Sequence, residues 1–223
     1  MRIVRLAIHR RQGGKKAFST APGWMARSSE GRSRSPRLPG YNGGVEFTLR
    51  DFRREDFDTL WRIDQECFPP GISYSQLELA AYIRRWGSFT LVAESAGRKV
   101  NGISRDGWHQ VEPSTVTLGF LVAEAGRRGT GHILTIDVLP AARRCGVGSK
   151  LLSAAEDRLR AIKCRRVFLE TAVDNQAALV FYKKHGYSLT KTIPRYYSNG
   201  IDAFVLQKDL LSQGEPAKLQ QLR

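Results

Sequence analysis

Hydrophobic and polar residues follow regular patterns from Val45 onward. Residues 45–52 alternate apolar and polar side chains, which predicts a short, half-buried strand. Residues 54–68 place apolar side chains at helical spacing, with acids in the first turn, and stop at a Pro-Pro-Gly sequence. We therefore predict a first helix there and a second helix over residues 75–85. Three runs rich in β-branched and aromatic residues follow and are predicted strands: 89–95, 116–125 and 132–139.

The second half of the chain continues this mixture of helices and strands. Asn175 has the chemistry of a helix N-cap and Gly186 that of a C-cap. The predicted elements, in order, are a helix over 146–164, a strand over 165–171, a helix over 174–186, and strands over 187–193 and 202–210. Because helices and strands are mixed within one unit, residues 45–210 are predicted to form a single α/β domain with a mixed sheet.

One connection in this pattern has no clear periodicity. Residues 96–114 join two predicted strands but are far longer than the roughly 2 to 5 residues of a usual hairpin connection. The segment is consistent with an extra turn or with a mobile lid, and the sequence does not favour either.

The net charge of +15 on 223 residues is unevenly distributed. Residues 1–44 carry ten basic side chains and a single acid, Glu30, and so hold +9 of the total. Their second half is rich in Arg, Ser, Gly and Pro, which is typical of disorder or a linker. We therefore predict a disordered basic extension over 1–44, one folded domain over 45–210, and a polar tail over 211–223.

The cysteine content and the chain start indicate a cellular setting. Three cysteines without metal-ligand spacing favour a reducing compartment, and no apolar run approaches the roughly 20 residues of a membrane span. We expect a cytoplasmic protein with no metal and no membrane partner. The first 22 residues are a poor secretory signal, but their Arg-rich, acid-free composition is also that of an organelle presequence. A disordered extension, a presequence, and an over-extended start with Met25 as the true initiator stay open.

The stretch from Asp137 to Leu152 carries the strongest chemical signal. It reads as a strand, a proline-marked turn, a basic loop with Gly146 and Gly148, and then a helix. Unpaired N–H groups at a helix start favour an anion, and glycines allow a bulky phosphate to approach the backbone. The stretch matches neither a P-loop nor a dinucleotide-binding fingerprint. It indicates a pyrophosphate cradle, with a tight, closely packed turn as the alternative.

This loop and two further blocks resemble the GCN5-related N-acetyltransferase (GNAT) superfamily. Arg143 to Gly148 is similar to the family's Arg/Gln-x-x-Gly-x-Gly/Ala signature, and 169–187 is similar to its LEV…N.AA…FY…GF block. The segment YYSNGIDA at 196–203 resembles the YY..G.DA segment of the RimI-like branch, which acetylates protein N-termini. The resemblance covers residues 46–210 and implies a mostly antiparallel, twisted sheet of about seven strands flanked by about four helices.

The resemblance also implies where acetyl-CoA, the expected cosubstrate, would bind. The loop would hold its pyrophosphate, and a splayed strand before the loop would pair with its pantetheine amide. Asn175 and Tyr182 are seven residues apart, so they share one helix face about 10 Å apart along the axis and could touch two points of the pantetheine arm. The residues implied in cofactor binding are Ile136, Asp137, Val138, Arg143, Arg144, Cys145, Gly146, Val147, Gly148, Ser149 and Asn175.

Two residues are implied in the chemistry. A leaving thiolate, with a free pKa near 8.5, departs more easily if a donor protonates it, and Tyr182 matches the family's general acid. The attacking amine must be neutral, and Glu170 aligns with the general base of the RimI-like branch, acting through water. The alternatives are a buried aromatic for Tyr182 and an ion-paired carboxylate for Glu170. His132 and His185 have only weak cases for a role, and a covalent role for Cys145 is disfavoured because the family transfers acetyl directly.

The acceptor is expected to be the N-terminal α-amine of a protein or peptide, such as a ribosomal protein. Its slot would be lined by Phe68, Pro69 and Tyr74 on one wall and by Tyr196 and Tyr197 on the other. Packing in turns and edge strands is the alternative for all five. Two competing functions stay open: acetylation of a small-molecule amine or a lysine on the same fold, and a non-catalytic basic protein bound to ribosomes or RNA. The sequence disfavours nucleic-acid binding except through the basic extension, because interleaved surface aromatics are lacking.

Overall fold

The computed structural model describes residues 46–68, 72–95, 100–104, 107–111, 115–126, 128–197 and 199–211, with the backbone alone for 100–104 and 107–111. The predicted extension over 1–44, Val45 and most of the polar tail therefore lie outside the described residues. Among the residues that are described, no helix is long and apolar enough to cross a membrane.

The described chain forms nine strands and four α-helices. The strands are β1 (Phe47–Asp51), β2 (Ser88–Ser95), β3 (Val100–Ser104), β4 (Gly107–Val111), β5 (Thr117–Gly126), β6 (Thr130–Val138), β7 (Arg166–Ala172), β8 (Ser188–Ile193) and β9 (Ala203–Asp209). The helices are α1 (Phe57–Cys67), α2 (Gln76–Ile83), α3 (Val147–Ala161) and α4 (Gln176–Lys184). The elements predicted between 46 and 210 are confirmed, with their ends shifted by at most three residues.

The main sheet has seven strands in the order β1-β2-β5-β6-β7-β9-β8. All of its neighbouring strands are antiparallel except β6 and β7, which run parallel. The predicted fold class, a mostly antiparallel seven-stranded sheet with four helices in a single domain, is therefore confirmed. The single parallel pair, β6 and β7, is joined over three residue pairs, so the two strands are unpaired with each other along the rest of their length.

The helices cover the two faces of this sheet. One core cluster contains the inner faces of α3 and α4, including Leu151, Leu159 and Tyr182, and the other contains those of α1 and α2, including Leu60 and Leu79. Helix α3 packs so closely on β6 that a Cβ at Gly131 would lie 2.6 Å from the Leu159 side chain. Helices α3 and α4 therefore cover one face of the sheet and α1 and α2 the other, so an opening between its strands can be approached from either face.

The uncertain connection over 96–114 contains a β-hairpin. Strands β3 and β4 pair with each other in a separate two-stranded sheet, with Val100 opposite Val111 and Ser104 opposite Gly107. The sequence did not predict these two strands, and the mobile-lid alternative stays a prediction. The sequence signal was weak because Gly102 and Gly107 interrupt the alternation that marks a strand.

Candidate active site

The sheet is open between its two parallel strands. Strands β6 and β7 pair over three residue pairs that end at His132 and Phe168. Beyond them, residues 133–138 continue to pair with β5, and 169–172 with β9, but not with each other. Within the described strands, each therefore presents one unpaired backbone edge to the gap. Such edges pair readily with an extended ligand, and the predicted cofactor-binding residues Ile136, Asp137 and Val138 lie on one of them.

The glycine loop follows this edge and leads into α3. Its backbone is left-handed at Arg144 (φ +64°) and at Gly146 (φ +85°). Gly146 is the N-cap residue of α3, no side chain caps the helix there, and a Cβ on Gly146 would meet no atom within 4 Å. The first N–H groups of α3, at Val147 and Gly148, thus begin beside open space. This is the arrangement that suits an anion such as a pyrophosphate.

Two basic residues of the loop have different surroundings. Arg143 is half-buried, and its Nε donates to the carbonyl oxygen of Val138 at 3.0 Å, so its guanidinium helps to anchor the loop to β6. Arg144 and Cys145 are exposed, and the Cys145 thiol lies 3.6 Å from the carbonyl oxygen of Arg143. Of these predicted cofactor-binding residues, Arg144 is the one with a cationic side chain exposed to solvent.

Ser149 connects the loop to the end of α4. The Nδ1 atom of His185 lies 2.7 Å from the carbonyl oxygen of Phe181, so Nδ1 carries the proton. The other ring nitrogen, Nε2, lies 3.0 Å from the Ser149 hydroxyl. When His185 is neutral, Ser149 donates this hydrogen bond. His185 therefore holds the first turn of α3 against α4, a contact that the sequence analysis did not predict.

Helix α4 brings Asn175 and Tyr182 to the gap from the α3/α4 side. Asn175 is the N-cap of α4, and its side-chain oxygen accepts from the N–H of Ala178 at 3.3 Å. Tyr182 is completely buried, with its ring between those of Phe181 and Tyr187. Its hydroxyl has no hydrogen-bond partner among the described residues. A buried polar atom without a partner is costly, which suggests that a ligand completes its contacts.

Burial also fixes the protonation state of Tyr182. Loss of solvation raises the pKa of its phenol well above the usual value, and the nearby Asp137 carboxyl and Tyr197 phenol raise it further. Tyr182 therefore keeps its proton at any physiological pH, as a hydrogen-bond donor or general acid must.

Glu170 lies on the other side of the gap and is buried against a histidine. Its Oε2 lies 2.8 Å from Nε2 of His132, whose ring stacks on Phe168 with centroids 4.1 Å apart. Nδ1 of His132 lies 3.6 Å from Oε1 of Glu124, which in turn accepts from Arg85 at 3.1 Å through its other oxygen. Glu170 is thus one member of a chain of four ionisable side chains that runs from the gap to the protein surface. Its members, in order from the surface, are Arg85, Glu124, His132 and Glu170.

The two carboxylates control the charge of His132. Burial alone would lower the pKa of this imidazole, but the contacts with Glu124 and Glu170 outweigh burial and raise it. The pKa of Glu124 is lowered, first by its contact with His132 and then by Arg85. The sequence analysis missed this chain. One signal was available, because a hairpin centred on residue 128 places Glu124 opposite His132 on adjacent strands.

The predicted acceptor wall from α1 is partly inside the core. Phe68 ends α1 and is buried, and Pro69 lies outside the described residues. Tyr74 is also buried, its N–H donates to Asp64 Oδ2 at 2.7 Å, and its hydroxyl lies 3.4 Å from the carbonyl oxygen of Leu134. Tyr74 therefore packs against strand β6 on the α1/α2 side of the sheet. Its contact with substrate stays a prediction.

The opposite wall comes from the link between β8 and β9. Tyr196 and Tyr197 pack edge to face with ring centroids 5.2 Å apart. A tight turn holds them: the N–H of Tyr197 donates to the carbonyl oxygen of Ile201, and the carbonyl oxygen of Tyr197 accepts from the N–H of Gly200. Tyr197 is buried close enough to Tyr182 to affect its pKa, so this link does reach the gap.

Asp137 is a second feature of the gap that spacing alone did not indicate. Its side chain is buried on the α1/α2 side, with one oxygen 3.2 Å from the Thr135 hydroxyl and the other without a hydrogen bond among the described residues. Burial, followed by the nearby Asp64, raises the pKa of Asp137 well above the usual value. The same surroundings raise the pKa of Cys67 to about 12. The sequence analysis assigned Asp137 a backbone role alone, whereas its carboxyl is also a buried group with a raised pKa.

The arrangement combines an anion cradle, two unpaired strand edges, a buried donor without a partner and a buried carboxylate. Among the described residues, no cluster of three or more His, Cys, Asp or Glu side chains could hold a metal ion.

Comparisons with known proteins agree with this geometry. A family model described as "Acetyltransferase (GNAT) family" matches residues 57–187. An N-alpha-acetyltransferase of Sulfurisphaera tokodaii is 28% identical over 168 residues, which cover 75% of this chain and 95% of that protein. The crystal structure of Ard1 from Thermoplasma volcanium has a TM-score of 0.59 and 28% identity, and covers 74% of this chain and 98% of that one. The NatC complex, solved with a Gag peptide and CoA, has a TM-score of 0.57 and 26% identity, and covers 74% and 99%.

The matched family model spans more than half of the chain, including α1, the open strand pair, the glycine loop and α4. The protein therefore belongs to the GNAT acetyltransferase family and is an N-acetyltransferase.

Proposed function

We propose that this enzyme transfers the acetyl group of acetyl-CoA to the N-terminal α-amine of a protein or peptide, as the RimI-like resemblance leads us to expect. One observation carries the proposal: a gap in the sheet with the unpartnered Tyr182 hydroxyl on one side and the buried Glu170 carboxylate on the other. Relatives named as N-alpha-acetyltransferases support the choice of an α-amine. The NatC structure, which contains both a peptide and CoA, supports the choice of cosubstrates.

The residues of the gap fit acetyl-CoA. The unpaired edge of β6 at Ile136 to Val138 would pair with the pantetheine amides, and the open N-terminus of α3 after Gly146 would hold the pyrophosphate. Arg144, with its exposed guanidinium, would lie beside the phosphates. Acetyl-CoA, when bound, supplies an activated thioester. The protein's own contribution is to hold that thioester in the gap and to exclude water from it.

Tyr182 would act as the acid. Its proton is retained because burial raises the pKa of the phenol, and its hydroxyl has no competing protein partner among the described residues. The Tyr182 O–H would donate to the thioester sulfur, on which negative charge develops as the acetyl group is transferred. A phenylalanine would fill the same space but could not make this donation.

Glu170 would act as the base, on the opposite face of the open sheet. Leu169 belongs to the α3/α4 core, so the neighbouring Glu170 points to the α1/α2 side. An α-ammonium group has a pKa of about 7.7 to 8.0 and therefore needs only a mild base, unlike a lysine near 10.4. Glu170 would accept its proton through water, and His132 would share the charge across their 2.8 Å contact. The amine would enter from one face of the sheet while the thiol leaves towards the other.

The decisive experiment measures CoA release from acetyl-CoA with four kinds of acceptor. They are peptides with free N-termini, including those of ribosomal proteins, the same peptides with a blocked N-terminus and an internal lysine, spermidine, and no acceptor. We expect release with free N-termini and none above background with blocked ones. A Glu170→Gln variant should lower kcat by about 100-fold or more, the usual contribution of a general base.

The other outcomes identify the competing functions. Release with spermidine or the lysine peptides but not with free N-termini would replace the α-amine by another amine. Tight RNA binding by a protein that fails to bind CoA in calorimetry would indicate the non-catalytic alternative. Mass spectrometry of the product peptide locates the acetyl group and separates α-amine from side-chain modification.

A further inference from the structure

The chain Arg85–Glu124–His132–Glu170 contains two members that the proposed chemistry does not use. Glu124 lies on β5 directly opposite His132 on β6, and Arg85 follows α2. Arg85 places its Nη1 atom 3.1 and 3.3 Å from the two oxygens of Glu124, and its guanidinium also lies 4.8 Å above the Tyr82 ring. Glu124 is therefore held from two directions, by the strand pairing of its backbone and by a cation fixed on an aromatic ring.

His132 is restrained on three sides. Phe168 stacks on one face of the imidazole at an interplanar angle of 15°, which fixes the plane of the ring. Glu124 lies 3.6 Å from Nδ1, and Glu170 lies 2.8 Å from Nε2. The ring is 6% exposed, and an ionisable group that is buried this deeply persists only if its charge is matched. The carboxyl groups of Glu124 and Glu170, with Arg85 beside Glu124, are the groups that match the charge of His132 when its ring is protonated.

We propose that Glu124, held by Arg85, is a positioning residue that directs the imidazole of His132 at the Glu170 carboxylate. His132 is the last residue of β6 that pairs with β7, so its ring lies where the gap begins. A fixed imidazole at this point keeps Glu170 oriented towards the gap. When the ring is neutral with its proton on Nδ1, Nε2 can take the proton that Glu170 has accepted while Nδ1 releases its own proton to Glu124. Glu124 is partly exposed and can return that proton to solvent, which leaves the ring neutral again.

The groups that face His132 determine the pH dependence. They are Glu124 from β5, Glu170 and the uncharged Phe168 from β7, and, through Glu124, Arg85. An opposite charge within about 4 to 6 Å shifts a pKa by about 1 to 3 units. Removing the Glu124 charge should therefore lower the pKa of His132, because one of the two carboxylates that stabilise its protonated form is lost.

The test combines an NMR titration, which needs no catalysis, with the pH dependence of kcat/KM. The titration follows the imidazole resonances of the full chain by NMR; the chain has four histidines, and a His132→Asn spectrum identifies the relevant one. In Glu124→Gln, we expect the His132 midpoint to fall by about one unit. The acid limb of kcat/KM should move to lower pH by the same amount, while KM for acetyl-CoA stays within about twofold.

A double-mutant cycle tests the contribution of Arg85. Arg85→Gln alone should change the His132 midpoint, whereas the same substitution in the Glu124→Gln background should change nothing, because Arg85 acts through Glu124. Equal effects in both backgrounds would overturn the role given to Arg85. Asp157→Asn is the matched control, since it removes an exposed carboxylate that pairs with Arg160 on α3. It should leave both the midpoint and the acid limb unchanged.

The catalytic half of this inference rests on the proposed function, and the two can fail separately. If no acceptor is acetylated but the His132 midpoint falls in Glu124→Gln, the positioning of His132 stands and the proposed function is wrong. If free N-termini are acetylated but Glu124→Gln moves neither the midpoint nor the acid limb, the role given to Glu124 is wrong. Thermal unfolding of each variant shows whether a loss of rate is a loss of folded protein.

Discussion

Replacing Tyr182 by phenylalanine separates chemistry from packing unusually well in this protein. The ring is completely buried between Phe181 and Tyr187, and phenylalanine preserves those contacts. The hydroxyl has no hydrogen-bond partner among the described residues, so its removal breaks no interaction of the folded chain. We therefore expect the free energy of unfolding to stay the same or to rise by about 1 kcal/mol, because a buried, unsatisfied polar group is lost.

The catalytic effect of Tyr182→Phe should be much larger. A positioned general acid typically contributes about 100- to 10,000-fold to the rate. We expect kcat to fall by at least about 100-fold, a cost of roughly 2.7 kcal/mol in activation free energy. The dissociation constant of acetyl-CoA should change by less than about threefold, because the hydroxyl is needed only as the sulfur gains charge. Steady-state CoA release gives kcat, and calorimetry gives the affinity.

Tyr187→Phe is the matched control. This phenol is also buried, but it donates to Glu156 Oε1 at 3.0 Å. Losing a hydrogen bond to a charged group should cost about 1.5 to 3 kcal/mol of stability, measured by urea unfolding, while kcat is kept. A kcat for Tyr182→Phe within twofold of the parent would remove Tyr182 as the acid. A stability loss as large as that of Tyr187→Phe would mean that the Tyr182 hydroxyl has a protein partner after all.

Substitutions at three further positions test other parts of the site. Gly146→Asp should abolish CoA binding in calorimetry, whereas Gly146→Asn, which tolerates the same left-handed φ without a charge, should weaken it by less than about tenfold. Asn175→Ala should lower the free energy of unfolding by about 0.5 to 2 kcal/mol, because the N-cap of α4 is lost. Burial beside Asp64 raises the pKa of Asp137, so the stability this group contributes is present near pH 4 and is lost as pH rises through the raised value. The Tm of Asp137→Asn relative to the parent should therefore increase from pH 4 to pH 9, and a constant difference would contradict the raised pKa of Asp137.

Patterns of local spacing predicted most of the fold. The helical faces of α1, α3 and α4 and the strands of the main sheet follow directly from apolar periodicity and capping residues such as Asn175 and Gly186. The hairpin of β3 and β4 was missed because its strands are short and interrupted by glycine. Periodicity detects a buried face, and short strands in a separate two-stranded sheet leave little such pattern.

The candidate site also combines features that local sequence predicts with contacts that only the fold creates. The loop at Gly146, the cap at Asn175 and the buried Tyr182 are local features of a helix or its start, and spacing identified all three. The chain from Arg85 to Glu170 depends instead on strands that meet through the fold, across 39 and 38 residues of sequence. The residues next to His132 in the sequence do not indicate that the folded sheet brings Glu124 and Glu170 to its side chain.

A single irregularity in β6 determines which side chains share the α1/α2 face. Val122 pairs with Thr135 and Ala123 with Ile133, so Leu134 is an extra residue that shifts the alternation by one. Before the bulge the odd-numbered Ile133 packs towards α3, and after it the even-numbered Ile136 does. His132 and Asp137 are an odd number of residues apart, and strict alternation would place them on opposite faces of the sheet. Because of the bulge, both lie on the face that carries Glu124 and Glu170, while Tyr182 approaches the gap from the other. The separation of Tyr182 from the acidic cluster therefore follows from the register of one strand, which is why the sequence motifs could identify Tyr182 and Glu170 but not the groups that surround Glu170.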